Sequence, residues 1–444
     1  MQPASRITRP GPFVIQSPPH SMTARRLSTA LFLLCLAAYS AVYLRGVARV
    51  PYHPDESSYL YMSDELESLL TRPAALYFNE RSADWPRQAQ RLLNPPLLHY
   101  VVELGRRAAG LDPLPVNWDW SQPWQVNLLA GALPSPELLQ AGRMAVAVLF
   151  PLSLLLFFFT VRRVSGDVTA WLAVLLLAAN ALLLLHTRRV MAEGLLIFTL
   201  MLFLWTLVHV GQGTAAGKHP WLTAIPAALC ICAKLSLAPM ALVGLAAVVW
   251  PPDTSRGWAA RARQAVLFGV LVLVLTLALY PVAWQRPIRT VEEILRIRDD
   301  IAAGQMQKYA AQVIHTPAER LSALVRQVYY AAPSFYEDPM YASYTAESEA
   351  AYLANPLHTL LRSPVAGSLL LVLSLSGMLL AAWRILHRGP RPLALLLFAT
   401  LLQAAALLAA VPLEWQRYYL PLLPFVCFWA AYALTQVRLR PAAF

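Results

Sequence analysis

An all-α polytopic membrane protein with about ten transmembrane helices, arranged as a bundle with two long segments on one side of the bilayer, is the fold class this sequence predicts. Three observations carry that prediction. Over 444 residues, 58% are hydrophobic and only 14% charged, and the mean hydropathy is positive, a composition suited to lipid. Apolar stretches recur at lengths that cross a ~30 Å hydrocarbon core as helices. The charges between them fall unequally on the two sides.

The stretches lie at about 27–44, 144–160, 168–186, 190–210, 220–233, 235–250, 265–284, 366–383, 392–411 and 418–436. The run from 220 to 250 is short for two crossings and long for one, so an outward turn near Lys234 decides the topology downstream. With ten spans, one side receives Arg25, Arg26, Arg162, Arg163, Lys218, Arg256, Arg261, Arg263, Arg384, Arg388, Arg391, Arg438 and Arg440 against only Asp167 and Asp253. By the positive-inside rule that side is cytoplasmic, and both termini lie there. Segments of about 46–143 and 285–365 then face outward. They carry nearly all the acids and read as bearing interfacial helices. The net charge of +12 follows from this asymmetry rather than from a nucleic-acid surface.

Residues 1–26 are polar and basic and read as a disordered cytoplasmic tail, 27–436 as the transmembrane domain, and 437–444 as a second tail. Arg25 and Arg26 before an apolar run also fit a signal peptide, with Ala38, Ser40 and Ala41 at its cleavage region. The long tail and the extended apolar run favour an anchor in the plasma membrane. Cys35, Cys230, Cys232 and Cys427 all fall in apolar spans and read as small hydrophobes. The sequence holds no Walker motif, Gly-rich dinucleotide turn or Gly-x-Ser-x-Gly elbow, so no nucleotide cofactor is expected.

The chemistry concentrates at outer-side positions. Asp55 and Glu56 follow the first span within a few residues, and a carboxylate near lipid needs a cation, a metal or a proton to manage. Taken alone, the pair reads equally well as a helix start favoured by the dipole, with Asp55 or Ser57 as its cap. From Ser57 to Leu70 apolar residues recur at near-helical spacing, which predicts an amphipathic helix lying on the membrane. Asn94-Pro95-Pro96-Leu97 opens a second helix. Arg188, Arg189 and Glu193 sit at an outer turn, and Glu193 is the only acid between Asp167 and Asp253. It reads either as a pair with Arg189 at helical spacing or as a functional acid at the head of an apolar helix. Lys234, one of three lysines, interrupts the apolar run of 221–250, as a functional cation or a snorkelling loop residue. Arg417, Tyr418, Pro421 and Pro424 open the last span, as an aromatic belt would.

The order of these features resembles glycosyltransferase family 39, the group of protein O-mannosyltransferases and aminoarabinose transferases with the membrane GT-C fold. The residues carrying the likeness are Asp55, Glu56 and Tyr59, then Pro95, Pro96 and Leu97, Arg188 and Glu193, Lys234, and Arg417, Tyr418, Pro421 and Pro424. It runs from about 28 to 436 and is best over 28–240. The chain departs from it at Glu193, where the family usually has Asp, and at Asn94, where it often has Lys.

The resemblance implies a hexosyl or pentosyl transferase that moves a sugar from a polyprenyl-phosphate donor to a glycan, lipid or protein acceptor outside the cytoplasm. Asp55 would be the general base, with Glu56 beside it. Tyr59, Arg188, Glu193, Lys234, Arg417 and Tyr418 would bind substrate, the cations stabilising the leaving phosphate. A divalent metal ion would sit at Asp55 and Glu193. A transporter or flippase, expected to show inverted halves and broken charged helices near mid-membrane, and a non-catalytic protein of the same fold are the competing classes. Segment 285–365 matches no family pattern, and His315, Glu337 and Asp338 stand in it as ordinary polar residues.

The topology is testable directly. A cysteine at Ser82 is expected to react with an impermeant thiol reagent in intact cells; protection until lysis would invert the assignment.

Overall fold

The computed structural model describes residues 22–212, 219, 221–250, 257–387 and 389–437. The predicted tail of 437–444 therefore lies outside the described residues beyond Val437, and that of 1–26 lies outside them up to residue 21. Among the described residues every regular element is helical. In order they are α1 Met22–Arg45, α2 Pro54–Tyr61, α3 Glu65–Thr71, α4 Trp85–Leu93, α5 Leu97–Ala108, α6 Trp124–Leu129, α7 Pro136–Ala147, α8 Leu149–Ser165, α9 Asp167–Ala178, α10 Ala181–His186 and α11 Ala192–Gly211. There follow α12 Trp221–Ala233, α13 Pro239–Val249, α14 Trp258–Leu279, α15 Pro287–Lys308, α16 Pro317–Val325, α17 Ala342–Leu353, α18 Pro364–Leu386, α19 Arg391–Ala410 and α20 Leu423–Val437.

Among the described residues seven stretches are long and apolar enough to cross a membrane: α1 with its continuation, α7 with α8, α11, α14, α18, α19, and α20 with the 3₁₀ turn before it. Three shorter apolar helices, α9, α12 and α13, stand where the sequence predicts the remaining spans. Their shortness has local causes. Asn180 ends the run of 168–186 early, because its side chain accepts from the amides of Leu182 and Leu183 and starts α10 afresh. Lys234 separates α12 from α13 in extended backbone at φ −162°.

Large side chains of α8, α9, α11 and α20 interlock in the bundle core, with Phe157, Phe158, Leu200, Phe203 and Trp429 all at 2% exposure or less. Gly377 lets α18 cross α20 in contact, since a Cβ there would collide with the Trp429 carbonyl. At the basic ends, Arg391 donates to the carbonyls of Val210 and Ala247 and Arg384 to the Tyr432 hydroxyl at 3.0 Å. These bonds close the last turns of α11 and α13, where carbonyls lack helical partners.

At the other end the two long segments pack on each other. Phe78 N donates to Val282 O at 3.1 Å, and the Tyr280 hydroxyl to Arg91 O at 3.2 Å. Trp118 meets Tyr341 edge-on at 5.7 Å. Val313 bridges Leu413 antiparallel, and the Trp415 indole donates to Gln312 Oε1 at 2.6 Å. Segment 285–365 is thereby tied to the entrance of the last span. The membrane-lying helix expected over 57–70 is instead two short helices, α2 and α3, broken at 62–64 and packed into protein. Leu60 and Met62 are fully buried, and Glu65 accepts from Arg91 at 2.8 Å.

One buried ion pair organises this end. Arg143, an isolated cation on apolar α7, grips Glu56 with Nε at 2.7 Å and Nη2 at 2.6 Å. Glu56 also accepts from the amides of His53 at 3.0 Å and Val190 at 2.9 Å. Arg143 Nη1 donates to Val50 O at 2.8 Å. Gly142 makes the approach possible, since a Cβ there would meet Leu60 at 2.8 Å and Val190 at 3.0 Å. Burial alone would raise the Glu56 carboxyl, but Arg143 outweighs it and holds the group below the usual carboxylate range.

Breaking a buried pair costs about 3–5 kcal/mol, so Glu56→Gln and Arg143→Met should each lower the thermal midpoint far more than loss of the exposed Arg289–Glu292 pair. Because the folded Glu56 value is depressed, its contribution is present above the ordinary value of about 4.3 and lost as pH falls through the folded one. Midpoints equal to wild type in both variants would remove the pair from this role.

Candidate functional site

Helix α2 begins in an unusual way. His53 is its N-cap, its Nδ1 accepting from the Asp55 amide at 3.1 Å, while Glu56 reaches back to the His53 amide. This is a capping box with histidine in the hydroxyl position. Asp55 and Ser57, the expected caps, are released from that duty. Since successive helical residues turn by about 100°, Glu56 points inward to Arg143 while Asp55 points to the other flank.

There Asp55 meets Arg417, whose Nη1 donates to Asp55 Oδ2. Arg417 Nε lies 3.0 Å from Glu337 Oε1, and His53 Nε2 lies 3.0 Å from Glu337 Oε2. With Nδ1 accepting from the backbone, the proton of neutral His53 is assigned to Nε2, which donates to Glu337. Burial would raise the Glu337 carboxyl, but Arg417 and the His53 hydrogen bond hold it well below the ordinary carboxylate range. Glu337 was passed over in the sequence because segment 285–365 carries no recognisable motif.

A second pair completes the cluster. Glu193, in the first turn of α11, accepts from Lys234 Nζ at 2.6 Å. The expected alternative partner, Arg189, is fully buried and donates to Pro51 O at 3.1 Å. Glu193 Oε2 is buried with no hydrogen-bond partner among the described residues. Lys234 Nζ stands 6.0 Å from the centre of the Tyr418 ring. Tyr59 lies between the two pairs, in the field of Asp55, Glu193, Arg417 and Arg298. Burial pushes its phenol well above the ordinary value, so it remains a donor, here to Asn94 Oδ1 at 3.3 Å. Asp55, Tyr59, Glu193, Lys234, Arg417 and Tyr418 are thus brought together from both halves of the chain.

Two expected residues stand elsewhere. Glu56 is buried, with both oxygens occupied as described, and acts by fixing α2 rather than by facing the cleft. Arg188 lies against the Tyr43 ring at 4.4 Å and donates to His358 Nε2 at 3.3 Å. The tight turn at 187–191 sends Arg188 and Arg189 to different partners, so the structure does not bring Arg188 to the carboxylates. Arg298 of α15, unremarked in the sequence, takes its place beside Tyr59 and Tyr418. Its Nη2 donates to Leu93 O at 2.6 Å, and among the described residues it has no ion pair. A cation held by a carbonyl over an apolar turn carries no sequence signature. Arg143 could have been found, as a lone charge inside an apolar stretch.

The residues do not fit the metal ion that the resemblance implies. Both proposed ligands are already committed to side-chain cations, Asp55 to Arg417 and Glu193 to Lys234. Among the described residues no group of three or more His, Cys, Asp or Glu side chains is placed to hold an ion, whereas Mg²⁺ and Ca²⁺ require several oxygen ligands.

No family model and no curated sequence matches the chain. Solved structures do. ArnT from Cupriavidus metallidurans bound to undecaprenyl phosphate aligns over 92% of this chain and 60% of its own, at 16% identity and a TM-score of 0.51. The same protein in the apo state gives the same coverage and identity with a TM-score of 0.53. The Archaeoglobus fulgidus oligosaccharyltransferase in complex with Zn and sulfate aligns over 90% of this chain and 49% of its own, at 14% identity and a TM-score of 0.50. The chain therefore spans about 60% or less of the length of the solved structures it matches. Identity this low speaks for the fold alone, and on that point it agrees with the helices, their breaks and the two packed long segments: this chain has the GT-C fold of membrane glycosyltransferases.

Proposed function

We propose that this protein transfers a hexosyl or pentosyl unit from a polyprenyl-phosphate donor to a hydroxyl-bearing acceptor at the outer membrane interface, with Asp55 as general base. The observation that carries the reading is Asp55 itself. It is a carboxylate at a helix start, freed from capping, one oxygen held by Arg417 and Oδ1 without a hydrogen bond among the described residues. The cations around it suit a donor whose lipid stays in the bilayer and whose phosphate sits at the interface, and one structural neighbour was solved with such a lipid phosphate bound.

Asp55 Oδ1 accepts the proton of the acceptor hydroxyl as its oxygen bonds to the anomeric carbon. The bond from that carbon to the phosphate oxygen breaks, and its electron pair leaves on the polyprenyl phosphate. Attack opposite the phosphate inverts the anomeric centre. Arg298, a cation without a carboxylate partner, receives the leaving phosphate through charge-assisted hydrogen bonds, with Arg417 nearby. Glu337 and His53 keep Arg417 in register with Asp55. Glu193 Oε2, buried and unpartnered, is an acceptor for a sugar hydroxyl, since an acceptor left bare in a buried site is costly.

Asp55→Asn keeps the side-chain volume and leaves the His53 cap intact, so folding should be unchanged while transfer falls by about 10² or more, the scale of a positioned base. Near-normal turnover with purified enzyme and a polyprenyl-phosphate sugar would remove Asp55 from this role. Arg298→Gln should lower turnover by about 10²–10³, the cost of one donor to a developing anion, with the loss seen against donor concentration and not against acceptor. An equal loss for both substrates would mark Arg298 as structural.

A further inference from the structure

Each carboxylate of the cleft already has a side-chain cation: Arg417 meets Asp55 and Glu337, and Lys234 meets Glu193. We infer that Lys234 is a built-in replacement for a divalent cation: its ammonium neutralises Glu193, and the site works without a bound metal ion. The inference rests on reading this cleft as the transfer site, but its tests do not all require transfer.

Three features support it. The turn that carries Lys234 is fixed, because its amide donates to Cys230 O at 3.1 Å and its carbonyl accepts from Leu237 at 3.0 Å. The Gln403 amide pins the same turn through Ser236 O at 3.0 Å. From this turn the ammonium reaches the head of α11, where Glu193 accepts from it at 2.6 Å. Glu193 keeps one buried oxygen unpartnered, and a single free carboxylate oxygen suits a hydroxyl donor, whereas a divalent ion requires several ligands. Finally, a divalent ion entering beside Lys234 and Arg417 would meet like charges at short range, which disfavour it.

The test uses the full chain purified in detergent or nanodiscs. Elemental analysis should find no stoichiometric divalent metal in the wild type, and EDTA should leave its thermal midpoint and turnover unchanged. Lys234→Ala leaves the Glu193 carboxylate buried without its cation, so this variant should lose stability, and the Lys234→Ala, Glu193→Gln double variant, which removes the bare charge, should recover part of it. Mn²⁺ should stabilise neither the wild type nor the variants, because one carboxylate is too few ligands for a divalent ion. Stoichiometric metal in the wild type, or EDTA inactivation reversed by Mn²⁺, would overturn the inference. A Lys234→Ala chain whose midpoint does not fall, or a double variant that recovers none of the loss, would overturn the role given to Lys234. Metal content and midpoints are read without any sugar donor, so failure of the transfer reading remains distinguishable from failure here.

Discussion

The end of the molecule formed by the two long segments depends on the buried pair between Glu56 and Arg143. Four hydrogen bonds converge on the Glu56 carboxylate, from two guanidinium nitrogens and the amides of His53 and Val190. They join the start of α2, the middle of α7 and the turn that precedes α11. An ion pair out of water is not by itself evidence of stability, but it is demanding about geometry, since every polar group must find its partner there. What it specifies here is the rotation of α2. With Glu56 turned inward and His53 taking the cap, Asp55 is left on the flank that faces Arg417.

The cleft that results is built from pairs rather than from free charges. Arg417 touches two carboxylates, and Lys234 a third. Such an arrangement is preorganised: the charges are already oriented by their partners, so on the proposed reading little rearrangement is required as charge moves from acceptor to phosphate. Arg298, a cation of the cleft with no ion pair among the described residues, comes from α15, and its placement depends on the packing of the two long segments. On the proposed reading, acid-rich 46–143 alone would carry the base without the charge to receive the leaving group. The closing of segment 285–365 over it supplies both Arg298 and Glu337.

Much of this was legible beforehand, and the exceptions have physical reasons. Composition, span lengths and basic-loop asymmetry point to the helical bundle, because hydropathy over a ~20-residue window is a strong local signal. Asp55, Tyr59, Glu193, Lys234, Arg417 and Tyr418 stood out because each interrupts or borders an apolar run. Which of them pair was not legible, since Asp55 and Arg417 are 362 positions apart. Glu56 looked equivalent to Asp55, and only the 100° turn between neighbours separates their environments. Arg188 and Arg189 also diverge, and neither makes an ion pair with the cleft carboxylates among the described residues, Arg188 lying against Tyr43 and Arg189 donating to Pro51 O. Glu337 and Arg298 lie in amphipathic stretches rich in charge, where one functional residue has no contrast against its neighbours.

The breaks in the helices bear on why the site is where it is. Asn180 restarts the chain before α10, residues 187–191 interrupt it before α11, Lys234 parts α12 from α13, and a 3₁₀ turn over Gln416–Leu422 leads into α20. Each break leaves amides and carbonyls outside a helix, which is tolerated near a bilayer only where the backbone is buried in protein or lines a cavity. Three of these irregularities deliver a residue of the cluster: Glu193 at the head of α11, where the helix dipole favours an acid, Lys234 in its extended turn, and Arg417 on the 3₁₀ turn. Unbroken spans would be the more favourable solution for a chain that only had to cross the membrane. Their interruption at one end, around one set of charges, is the backbone counterpart of the paired carboxylates and cations of the cleft.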